Sequence, residues 1–169
     1  PATVPDICRV FQLYEPLAGR NITSQFELVL AESIEPEKGA EAWTVRLRPD
    51  LTFHNGKPVT ADDVIFSLQR ITDPKDPKVG NSSIGYIDRK NLKKLDKLTV
   101  RIPLQFANAS FPDDIGQYFN AIVPTDYDPK KPVGTGPFKY QSFTPGQRSV
   151  FVKNPNYWQS GKPYADQLI

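Results

Sequence analysis

The sequence predicts a mixed α+β fold assembled from short elements, and three observations carry that prediction. Two stretches, "WTVRLR" and "LTVRIPL", alternate apolar and polar side chains as half-buried strands do. Between them, the segment after Thr60 repeats apolar residues at helical spacing behind a capping signal. The chain also holds 17 prolines and 10 glycines in 169 residues. That proline content is about twice the usual ~5%, and proline removes a backbone donor and breaks helix interiors. Long helices, and with them a helical bundle, are excluded.

The elements follow in order. Asp6 to Leu13 reads as a helix, with Ile7, Val10 and Phe11 at helical spacing and Pro16 soon after. Cys8, the single cysteine, lies in the apolar run "ICRVFQLY" and is expected to be packed. "QFELVLAESIEP" fits neither period well. In the strand Trp43 to Arg48, Trp43, Val45 and Leu47 share one face, with Thr44, Arg46 and Arg48 on the other. "LTF" continues the apolar side, and Asn55-Gly56 is the strongest turn signal in the chain.

The next helix is the best specified. Thr60 is its expected N-cap, with Asp63 three residues on in a capping box, where aspartate is shorter than the usual glutamate. Val59 and Val64 are placed for a hydrophobic staple. Asp62 and Asp63 put negative charge in the first turn, where it complements the helix dipole. Val64, Leu68 and Ile71 form the buried stripe, and Pro74 and Pro77 end the element.

"GNSSIG" reads as a small-residue loop. "DRKNLKKLDK" carries five basic residues and reads as a solvated edge beside the strand Leu98 to Leu104. "SFPDDIGQYF" is a short helix with Ser110 as cap and Pro112 near its start. "AIVP" is read as a brief buried strand. "GTGPFKYQSF" and "RSVFVKN" are read as two strands joined at Thr144-Pro145-Gly146. Tyr86, Tyr118, Tyr127, Tyr157 and Trp158 are expected at the surface.

Chemistry is sparse. One histidine, His54, and one cysteine, far apart in sequence, do not make a zinc site. No Gly-x-Ser-x-Gly elbow presents a nucleophile for a triad built on His54. The carboxylate pairs Asp62/Asp63 and Asp113/Asp114 both fall at helix starts, where dipole and capping account for them. "GTGPF" lacks the Lys-Ser/Thr of a phosphate loop, and Pro137 removes a donor. These residues point away from catalysis, metal and cofactor, and His54 reads as a turn-flanking side chain. The net charge of +2, from 21 basic and 19 acidic residues, is too even to imply nucleic acid or an anionic membrane. No apolar run reaches transmembrane length, so this stretch is not expected to insert into a bilayer.

The order of the motifs carries a resemblance. "LYEPLAG" precedes "LAESIEP", then "WTVRLRPDLTFHNGKPVTADDVIFSLQRI", "LTVRIPL", "AIVP", "PVGTGPFKYQSFTPGQRSVFVKNPNYW" and "GKPY". The chain resembles extracellular solute-binding protein family 5, the peptide-, dipeptide- and nickel-binding components of ABC importers. The resemblance implies part of a periplasmic-binding-protein-like lobe, mostly the extra subdomain of lobe one with mixed sheet and short helices. It puts that subdomain at about Tyr14 to Val133 and the return into the main sheet of lobe one from Gly134 onward, with the whole of 1–169 a fragment of that lobe. The chain's ends, "PATVPD" and "YADQLI", read as those of an excised piece.

The resemblance further implies capture of an extracytoplasmic solute, with short peptides the first expectation, and delivery to ABC permease subunits in the membrane. A regulatory protein carrying the same ligand-sensing fold is the alternative. In peptide-binding members the segment before the first helix pairs its backbone with an extended ligand, and here that segment matches Ala2, Thr3 and Val4. In nickel-binding members an arginine before the "I-x-P" strand helps hold the ligand, whereas here the matching place is near Asn120. The loop after the long helix often adds an aromatic contact, which makes Ser82, Ser83 and Tyr86 the candidates in this chain.

Overall fold

The computed structural model describes residues 4–169, with side chains from Asp6 onward. Helix α1 is Val4–Leu13, followed by the hairpin β1 (Ala18–Arg20) and β2 (Phe26–Leu28). Next come β3 (Ala31–Pro36), β4 (Ala42–Leu47), α2 (Ala61–Ile71) and α3 (Asn81–Ile84). Then follow β5 (Lys93–Lys94), β6 (Thr99–Pro103), α4 (Phe111–Ile115), β7 (Phe138–Thr144), β8 (Arg148–Lys153) and β9 (Gln167–Leu168). The fold is mixed α+β, and no helix among the described residues is long and apolar enough to cross a membrane.

The central sheet runs β3-β4-β6-β5, antiparallel throughout. Its register sets Trp43 opposite Ile102 and Val45 opposite Val100, so the apolar faces read from the two alternating stretches coincide. Both strands bury that face, and α2 packs on it through Val64, Leu68 and Ile71. Val64 and Leu68 are fully excluded from water, each contributing about 1.5–3 kcal/mol. Phe111 of α4 stacks on Trp43, with ring centroids 5.5 Å apart. Lys93 and Lys94 lie exposed on edge strand β5, where charge discourages pairing with another chain.

The start of α2 is built as the sequence predicts. The Asp63 carboxylate accepts the Thr60 N–H at 2.9 Å and the Thr60 hydroxyl at 2.8 Å. The shorter side chain therefore closes the box. Val59 and Val64 are both buried in the core beside it. The Asn55-Gly56 turn is also present, with Gly56 at φ +82° and its N–H on the Phe53 carbonyl.

Several expectations are corrected. "AIVP" is buried but pairs with no strand; the Ile122 and Val123 N–H groups go to the Glu15 carbonyl and Ser67 Oγ, and the N–H of the following Thr125 goes to the Asp63 carboxylate. "GNSSIG" contains the one-turn helix α3 rather than only a loop. The segment Gly134 to Pro137 is not strand, and β7 starts at Phe138. Helix α1 begins two residues before Asp6, so Val4 is its first residue and not the end of an extended segment. Ala2 and Thr3 lie outside the described residues. Cys8 is exposed, and so is Phe11 at 51%, because α1 buries chiefly its Leu13 end against β7 and β8. Ser110 occupies the cap position of α4 but makes no side-chain cap bond.

Candidate functional site

A cleft of about 420 Å³ lies between α1, the β1–β2 hairpin and α4. That volume falls in the range of small-ligand sites. Local sequence builds it from three sides. Pro16 ends the helical stretch and sends the chain into the hairpin, and the Asn21 carboxamide organises the hairpin's tip. Its Oδ1 accepts the N–H groups of Thr23 and Gln25 at 2.9 and 3.0 Å. Gly116 brings α4 close to Ala18, leaving the cleft bounded by Pro112 and Tyr118.

Glu15 lies at the floor, 7% exposed. The Tyr157 hydroxyl donates to its Oε1 at 2.6 Å, and the Trp158 Nε1–H approaches both oxygens at 3.1 and 3.2 Å. Burial raises the Glu15 carboxyl above its ordinary value, and the Tyr157 and Trp158 hydrogen bonds oppose that rise. Burial and the nearby carboxylate likewise raise the Tyr157 hydroxyl. Tyr14 is raised by burial and by its contact with Tyr127, whose hydroxyl is 3.4 Å away. The five aromatics expected at the surface are therefore only half exposed. Tyr86, Tyr157 and Trp158 spend their polar ends on internal carboxylates, while Arg70 sits over the Tyr127 ring and Phe11 beside Tyr118.

The structure brings some of the expected ligand residues together. Asn120 Nδ2 donates to Ser83 Oγ at 3.0 Å and to the Asp114 carbonyl at 2.8 Å. The Tyr86 hydroxyl donates to the Asp114 carboxylate at 2.6 Å. Asn120, Ser83 and Tyr86 thus form one network that joins α3 to α4, and Asn120 is fully buried within it. A ligand on the outer surface cannot reach the Asn120 side chain. Ser82 is exposed, with its hydroxyl turned back to the Val79 carbonyl.

His54 proves to be a clasp. The Gly134 N–H donates to Nδ1 at 3.3 Å, which assigns the ring proton to Nε2, and that nitrogen meets the Gly136 carbonyl at 2.9 Å. Burial lowers the imidazole below its ordinary value. Sequence reasoning missed both His54 and Glu15, since their partners lie 80 or more residues away. The only available signal was the motif order, which pairs "LYEP" with "NPNYW". Among the described residues no three His, Cys, Asp or Glu side chains converge as metal ligands.

The cleft thus sets aromatic walls over a carboxylate already held by hydrogen bonds. The family model of the bacterial extracellular solute-binding proteins, family 5, matches residues 25–169, and the chain belongs to that family. It is 31% identical to di/tripeptide-binding protein 2 of Pseudomonas aeruginosa over 83% of this chain and 31% of the relative. It is 30% identical to the oligopeptide-binding protein AppA of Bacillus subtilis over 92% of this chain and 31% of the relative. Among solved structures, the binding protein AgaA from A. tumefaciens R10, in complex with agropinic acid, superposes with a TM-score of 0.89. The identity there is 30%, covering 96% of this chain and 34% of that one. AppA in complex with a nonapeptide superposes with a TM-score of 0.86 at 25% identity, covering 99% and 35%. The chain spans about a third of the length of the curated relatives it matches.

Proposed function

We propose that this chain is the ligand-docking part of the substrate-binding component of an ABC importer, which captures short peptides outside the cytoplasmic membrane and delivers them to a membrane permease. The observation that carries the reading is the open aromatic cleft on a body similar to AppA, a protein solved with a nonapeptide. The names of the relatives, di/tripeptide- and oligopeptide-binding, support peptide as the solute.

In this reading the chain is one part of a two-lobed protein, and closure of a second lobe completes the burial that a half-site leaves unfinished. Two core clusters support a division within the chain. The larger draws on residues from Leu17 to Ile122, and the smaller on Leu13, Phe138 and Phe151. That pattern fits a subdomain from about Tyr14 to Val133, with the segment from Gly134 onward belonging to a different sheet. Backbone pairing by Ala2, Thr3 and Val4 remains the proposed peptide contact, with Val4 standing at the start of α1. Ser82 is the α3 residue open to a ligand, while Ser83, Tyr86 and Asn120 position α3.

Mass spectrometry of ligands that copurify with the native protein tests the proposal. A mixed set of short peptides is expected. A single non-peptide solute, as in the AgaA complex, would overturn the peptide assignment.

A further inference from the structure

The cleft holds a charge that nothing in the fold has spent. Glu27 on β2 lines it and is exposed, and its side chain makes no hydrogen bond or ion pair among the described residues. It lies close enough to Tyr157 to help raise that hydroxyl's proton affinity. Arg20 is the only cation among the described residues lining the cleft, and its guanidinium is committed to Asp113 and to the Ser24 carbonyl. Glu15 below is buried and already accepts from Tyr157 and Trp158. Among the described residues, what the cleft offers a ligand is the unpaired Glu27 carboxylate and no uncommitted cation.

The walls are aromatic. Phe11 and Phe26 are 51% and 43% exposed, and Tyr14, Tyr118 and Tyr157 complete the lining. Aromatic faces carry negative potential and attract ammonium and guanidinium groups. A carboxylate beside them adds Coulomb attraction. An anionic side chain meets repulsion here, and a neutral aliphatic one gains only buried area.

We propose that this cleft takes the cationic end of a peptide side chain, an ammonium or guanidinium on its aliphatic stem, and so selects lysine- and arginine-bearing peptides. The inference rests on the peptide reading above and names the substrate class within it.

Titration calorimetry on the purified protein, with Ala-Lys-Ala against its neutral isostere Ala-norleucine-Ala, tests this. The lysine peptide is expected to bind roughly tenfold more tightly at low salt. Glu27→Gln should collapse that ratio, as should Phe26→Leu, while Glu32→Gln on the separate strand β3 should keep it. Equal affinities in the unaltered protein would overturn the inference and leave the peptide reading standing. A ratio that survives both Glu27→Gln and Phe26→Leu would overturn it as well. If neither tripeptide binds, N-acetyl-lysinamide separates the two claims: binding that Glu27→Gln abolishes supports the cation site and sinks the peptide reading, and no binding overturns both.

Discussion

The Asp63 carboxylate accepts the backbone N–H of Thr125 at 3.0 Å, across 62 residues of chain. Its other oxygen closes the capping box on Thr60. One side chain thus starts α2 and also pins the "AIVP" segment, whose Val123 N–H reaches Ser67 Oγ on the same helix at 2.9 Å.

This makes two adjacent aspartates unequal. Asp63 is buried, whereas Asp62 is exposed and pairs with Lys94 at 2.6 Å. Asp63→Ala should destabilise the fold by about 2 kcal/mol through the lost cap and the lost loop bond. Asp62→Ala should shift stability by less than about 0.5 kcal/mol. Urea denaturation midpoints of the two variants give the comparison, and equal shifts would refute the assignment.

Tyr157→Phe removes a donor from a buried carboxylate while leaving the ring in place. A loss of about 1–3 kcal/mol is expected. The transition midpoint should fall with its slope unchanged. A variant as stable as the parent would mean that water or Trp158 alone suffices for Glu15.

The pH dependence has two opposed parts. Burial holds His54 below its unfolded value of about 6.5. The unfolded chain binds the extra proton, so this contribution is complete above about pH 6.5 and is lost as pH falls through the folded value. Glu15 is raised by burial, so its contribution is complete below about pH 4.3 and is lost as pH rises through its folded value. Stability curves from about pH 4 to pH 8 test both signs. His54→Gln should flatten the decline below about pH 6.5, and Glu15→Gln should remove the opposing loss on the way up. Unchanged slopes in both variants would contradict the burial argument.

The two glycines of "GTG" serve close approach, not phosphate. A Cβ at Gly136 would stand 2.5 Å from the Gln12 carbonyl oxygen, and one at Gly134 would collide with that of Leu13. Gly146 meets open space but sits at φ +71°. Gly146→Ala should therefore cost only about 1–2 kcal/mol of backbone strain. Gly134→Ala and Gly136→Ala should cost more, because α1 must move. Thermal melts rank the three, and Gly146→Ala as the worst would reverse the argument.

Much of the fold was legible because its rules are local. Alternation in "WTVRLR" and "LTVRIPL" marked the strands that pair, and the cap, staple and stripe marked α2. The misreadings share one cause. "AIVP" looked like a strand because burial and β-branching are visible in sequence, while the partner of each N–H is not. Cys8 looked packed because an apolar run does not reveal which face of a helix meets a sheet. The aromatic cleft was invisible in advance, since Phe11, Phe26, Tyr118 and Tyr157 come from four separate segments.

His54 and Glu15 show the same division at single residues. Sequence by itself determined the family, the α+β class and the absence of any local catalytic motif, because order, periodicity and capping are properties of neighbouring residues. Only the tertiary structure decided that His54 clasps Gly134 and Gly136, that Glu15 anchors Tyr157 and Trp158, and that the Glu27 side chain is left unpaired among the described residues at the cleft. Those roles depend on burial and on hydrogen-bond partners supplied by distant chain, which no short-range pattern encodes.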